Sequence, residues 1–102
     1  MMYNLIGKQM YEFLSDLFPI CRSITGGGVR QTLRAIQKHI PIEIREVPTG
    51  TQAFDWTVPM EWNIKDAYVM DESGNKVVDF RKNNLHVLGY SIPVNKVVSY
   101  TE

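Results

Sequence analysis

Residues 40–59, IPIEIREVPTGTQAFDWTVP, decide the fold class, because the hydrophobic period changes within them. Ile42, Ile44 and Glu46 fall on one face and Glu43, Arg45 and Val47 on the other, the period-two pattern of a short strand. Pro48-Thr49-Gly50 ends that strand. Ala53–Val58 follows as a second β-favouring run, closed by Pro59. Further on, 67–70 and 76–80 flank Asp71-Glu72-Ser73-Gly74-Asn75, a hairpin signal, and 85–92 resumes strand character after Asn83-Asn84.

Upstream of residue 40 the period is helical. Ile6, Met10, Phe13, Leu14 and Leu17 make one amphipathic stripe, with Lys8, Glu12, Ser15 and Asp16 as its wetter flank. Pro19 stops this helix, since proline disfavours helical geometry in the residue before it. After Thr25-Gly26-Gly27-Gly28, a second ridge of Val29, Leu33, Ile36 and Ile40 runs to Pro41. The expectation is an α+β chain: two N-terminal helices followed by about five mostly antiparallel strands.

The chain has 102 residues, 44% hydrophobic and 22% charged, an ordinary composition for a globular domain. Eleven basic residues balance eleven acidic ones, which disfavours a generally basic nucleic-acid binder. The halves differ mildly: residues 1–51 carry six basic and four acidic side chains, and residues 52–102 carry five and seven. The lone Cys21 excludes an intramolecular disulfide and a Cys-rich zinc site, and fits a reducing, cytoplasmic setting. No apolar run approaches the ~18 residues of a membrane span, so no membrane partner is expected.

Several features invite chemistry. Gly26-Gly27-Gly28 before a helix suggests an anion site, with Arg22, Arg30 and Arg34 as contacts. There is no Gly-Lys-Ser/Thr, however, and the triplet reads first as an interhelical turn. Arg30, Arg34 and Lys38 line one edge of the second helix, a row able to meet phosphates but more simply a solvated face. His39, His86, Asp55 and Glu61 lack any metal-ligand spacing. Phe54, Asp55, Trp56, Trp62 and Tyr68 form an aromatic-rich segment; its first reading is core or domain junction. Asp55, Trp56 and Trp62 are its candidates for a cleft or partner contact.

The blocks FPICRSITG (18–26), PTGTQAFDWTVPMEWNI (48–64) and NLHVLGYSIPVNK (84–96) resemble, in order, the opening of a bacterial family of zinc aminopeptidase-like proteins long filed as a domain of unknown function. The resemblance covers residues 7–96. It implies an aminopeptidase-like α/β domain with a small β-rich insertion and a C-terminal winged helix, in proteins several times longer. Residues 1–58 would then supply the first helices and strands of the peptidase domain, and 59–102 the start of the insertion.

Zinc is implied for the full-length relatives, on ligands beginning with a His-Pro segment and a following Asp. No residue here matches that motif, so no catalytic or metal residue is carried over and no cofactor is expected in this chain. After Lys96 the sequence VVSYTE departs from the family pattern. The expectation is an N-terminal fragment, inactive alone, completed by a downstream chain or by self-association. The rivals are a small protein-interaction module and nucleic-acid binding through the basic helix.

Overall fold

A computed structural model describes residues 2–102. Helix α1 spans Met2–Leu17 and α2 spans Gly27–Gln37. Four short strands follow, β1 Gln52–Ala53, β2 Trp56–Thr57, β3 Tyr68–Met70 and β4 Lys76–Asp79, and then a 3₁₀ turn at Asn84–His86. Two helices and two antiparallel two-stranded sheets make this an α+β fold.

The end of α1 is sealed by side-chain chemistry. The Arg22 guanidinium donates to the Leu17 carbonyl at 3.3 and 3.0 Å, beside the Ile20 N–H, placing positive charge at the negative end of the helix dipole. Phe13 meets His39 edge-on, with ring centroids 4.7 Å apart, and this contact ties α1 to the residues after α2.

The β1–β2 pair is a tight hairpin with Gln52 opposite Thr57 and Ala53 opposite Trp56. Backbone bonds from Gly50 to Val58 (2.8 Å) and from Val58 to Thr51 (2.9 Å) extend the ladder below it. In β3–β4, Tyr68 faces Asp79 and Val69 faces Val78, with a bulge between Val69 and Met70. The Asp71 carboxylate accepts from the backbone N–H groups of Ser73 (3.0 Å) and Asn75 (2.9 Å), and Gly74 takes a φ of 83°. These bonds, that to Asn75 first, hold the Asp71 carboxyl below its ordinary pKa despite an opposing desolvation effect.

Three expected strands differ from expectation. Residues 42–47 keep the alternation, Ile42 and Ile44 half-buried and Glu43 and Arg45 exposed, yet no strand among the described residues pairs with them. Periodicity reports which face of a strand is covered, not where its hydrogen-bond partner lies. The 85–92 run is a 3₁₀ turn followed by a bend, because the Asn83 side chain accepts from the Leu85 N–H (3.0 Å) and starts a helical turn instead. Within 53–58, the expected single run folds back on itself at Phe54-Asp55.

No hydrophobic residue among those described is fully buried, and the one buried charged side chain, Asp79, is 8% exposed. The radius of gyration is 18.2 Å, and the chain extends 52 × 44 × 20 Å. A compact chain of this length would have a radius near ~13 Å. The described residues form a flat layer of elements without a hydrophobic core.

Candidate functional site

Three loops converge in front of α2. Gly26, at φ 104°, approaches the Trp62 carbonyl so closely that an added Cβ would lie 2.5 Å from that oxygen. Asn63 Oδ1 accepts from the Gly27 N–H at 2.7 Å and so caps α2 from 36 residues away. The triple glycine is therefore a close-packing site, and the Gly27 amide offered for an anion is taken by Asn63. Thr25 Oγ1 and the Tyr90 hydroxyl share one hydrogen bond, and the Met60 carbonyl, 3.4 Å from Thr25 Oγ1 and 3.2 Å from the Tyr90 hydroxyl, accepts from whichever of the two still has its proton free. Trp62 stacks on Tyr90 with ring centroids 6.3 Å apart, and its indole N–H donates to the Ser91 carbonyl at 2.9 Å.

Beside this junction, Arg30 links three segments. Its Nε donates to Glu46 at 2.7 Å, and its Nη2 pairs with Glu61. The hydrogen bond to Glu61, followed by that to Glu46, moves the guanidinium pKa further above its already high value. The reciprocal bond from Arg30 holds the Glu61 carboxyl below the ordinary glutamate value, against a smaller desolvation effect. Away from this region, desolvation pushes the Asp66 carboxyl upward, but Arg81 at 3.1 Å and the Ala67 N–H bring it below normal overall.

The expected site residues fall into separate places. Arg22 sits on the Leu17 carbonyl, Arg30 on two carboxylates, and Arg34 is exposed in a groove shared by Asp16, Lys38 and His39. Trp62 belongs to the Tyr90 junction, whereas Asp55 and Trp56 lie on the β1–β2 hairpin. Thr49 Oγ1 donates to the Pro59 carbonyl at 3.1 Å and fixes the base of that hairpin beside the chain leading to Trp62. Asn63 and Tyr90 carry no sequence signal of their own, since each acts on a partner dozens of residues away.

At the hairpin tip the backbone is strained. Phe54 has a φ of 57°, and Asp55 does not share the positive value. Glycine is the usual occupant of such a left-handed first loop position. A bulky residue there costs on the order of 1–3 kcal/mol. The Phe54 side chain is fully exposed (104%) and Trp56 is 50% exposed.

The zinc implied by the family resemblance does not fit the residues present. Among the described residues no group of three or more His, Cys, Asp and Glu side chains comes together. His39 packs on Phe13, His86 Nδ1 lies against the Asp79 backbone, and Glu61 is held by Arg30.

The DUF4910 profile, described as a domain of unknown function, matches residues 11–99. The chain belongs to the DUF4910 family. A relative from Clostridium acetobutylicum, named "Putative polysaccharide biosynthesis protein with aminopeptidase-like domain", is 60% identical over 96 residues, which is 94% of this chain and 22% of the relative. A crystal structure described as a "putative peptidase" from Clostridium acetobutylicum is similar with a TM-score of 0.84 and 63% identity, over 89% of this chain and 22% of that one. This DUF4910 chain thus spans about a fifth of the length of these relatives. No helix among its described residues is long and apolar enough to cross a membrane.

Proposed function

We propose that this DUF4910 chain is the N-terminal part of a zinc-dependent aminopeptidase-like protein and takes part in peptide hydrolysis without catalysing it alone. In this reading, residues 1–58 supply the first helices and strands of the peptidase domain, and 59–102 enter a β-rich insertion. Zinc is held by side chains outside this chain, in a cytoplasmic protein. Asp55, Trp56 and Trp62 lie near the cleft of the completed molecule, and self-association is the rival way to cover the exposed faces.

One observation carries the reading. The chain is 60–63% identical to relatives named for peptidase or aminopeptidase-like character, yet it spans 22% of their length and none of its described hydrophobic side chains is buried. Ordering each residue costs about 1–2 kcal/mol of backbone entropy, which a coreless chain offsets poorly. The fold therefore belongs with a larger body.

The test is hydrolysis of a leucine anilide or a short peptide with added Zn²⁺. A full-length family member should turn over in a metal-dependent way, and the purified 102-residue chain should stay at background. Robust zinc-dependent turnover by this chain alone overturns the reading.

A further inference from the structure

We propose that Phe54 is a docking knob: the tip of the β1–β2 hairpin seats this ring in an apolar socket on the part of a DUF4910 protein that lies outside the stretch this chain matches. Asp55, exposed beside it, faces a rim of that socket carrying a cation or free N–H groups. This rests on the reading that the chain works as part of a longer peptidase-like protein.

The argument begins with backbone strain. A left-handed aromatic persists only where its surroundings over-determine it. Tyr90, at φ 66°, meets that condition inside the chain through Trp62, Thr25 and Met60. Phe54 does not, because its ring stands fully in solvent. The rest of the hairpin is nonetheless built to hold the tip still. Gln52 Nε2 donates to Thr57 Oγ1 at 2.7 Å across the strands, and Thr51 Oγ1 donates to the Pro48 carbonyl at 2.7 Å at their base. A bonded stem presenting a bare ring is pre-organised for insertion in its backbone, since little loop freedom remains to be lost on contact.

The occupant follows from the comparisons. A solved relative shares the fold over 89% of this chain with a TM-score of 0.84, and the match fills 22% of that relative's chain. The much larger remainder of that polypeptide is the surface on hand to cover the tip.

The experiment grafts residues 7–96 of this chain into the Clostridium acetobutylicum relative in place of its matching stretch. A thiol is introduced at the tip by Phe54→Cys, and its alkylation is read by mass spectrometry of the tip peptide so that Cys21 does not interfere. In the graft, the introduced thiol should react roughly tenfold or more slowly than in the free chain, the factor imposed by a ~1.4 kcal/mol opening cost. Phe54→Gly relieves the backbone and should still lower the graft's melting midpoint, whereas Phe54→Leu should recover part of the loss.

Equal alkylation in graft and chain, or a raised midpoint for Phe54→Gly, overturns the knob while leaving the peptidase-part reading intact. Protection that appears only on adding a peptide substrate also overturns it, assigning the tip to substrate instead. A graft that keeps Phe54 but neither folds nor hydrolyses peptide removes the underlying reading, and the knob with it.

Discussion

Phe54 and Tyr90 occupy the same left-handed region of backbone space, at φ 57° and 66°, in opposite surroundings. Around Tyr90 three loops meet: its ring stacks on Trp62 and its hydroxyl joins Thr25 at the Met60 carbonyl. Around Phe54 there is only a hairpin stem, with the ring itself in water. The chain thus resolves one strained aromatic by its own contacts and leaves the other open. Long-range polar bonds, not a hydrophobic core, are what hold the Tyr90 region together.

That contrast can be broken from the closed side, with stabilities read by urea denaturation of the grafted relative. Gly26→Ala should be the most damaging, losing about 2–5 kcal/mol, because it adds a Cβ 2.5 Å from the Trp62 carbonyl to a residue at φ 104°. An unchanged midpoint would mean that the loops do not close on Gly26. Trp62→Phe keeps a ring but removes the donor to Ser91, and should cost about 1–2 kcal/mol. Asn63→Ala uncaps the Gly27 amide for about 1 kcal/mol, and Asn63→Asp should recover that loss by placing negative charge at the positive end of α2. If Asn63→Ala is silent, the cap is water's rather than the side chain's.

The smallest effect is one of pH. Arg30 lowers the Glu61 carboxyl below its ordinary value of 4.5, so the pair's contribution is complete above that value and fades as pH falls through the lowered one. A carboxyl-carbon NMR titration should place the Glu61 midpoint below 4.5, and Glu61→Gln should abolish that acid-side loss. A midpoint at or above the ordinary value would dissolve the link between α2 and the Trp62 loop.

Sequence reasoning reached the parts written in neighbouring residues. The α1 stripe, the stop at Pro19 and the Asp71–Asn75 turn all follow from local geometry, and each is present. It could not assign a hydrogen-bond partner to Ile42–Val47, because alternation carries no information about pairing. Nor could it find the junction. Trp62 stood out by type, but Ser91 and Tyr90 lie 29 and 28 positions beyond it, and Asn63 reaches 36 positions back to Gly27. The triple glycine was visible as a turn, while its function as a place where backbones nearly touch exists only in three dimensions.

The alternating stretch at 42–47, which no described strand pairs, carries one more consequence. Ile42 is taken, its N–H by the Ile40 carbonyl and its carbonyl by Gln37, but beyond it the backbone offers amides and carbonyls to any passing strand, the usual seed of fibrils. Glu43, Arg45 and Glu46 punctuate that row with charge of both signs, so that stacking identical copies in register would pile like charges on one another. Those three gatekeepers favour dispersed molecules over amyloid whenever the segment is left uncovered during synthesis or assembly.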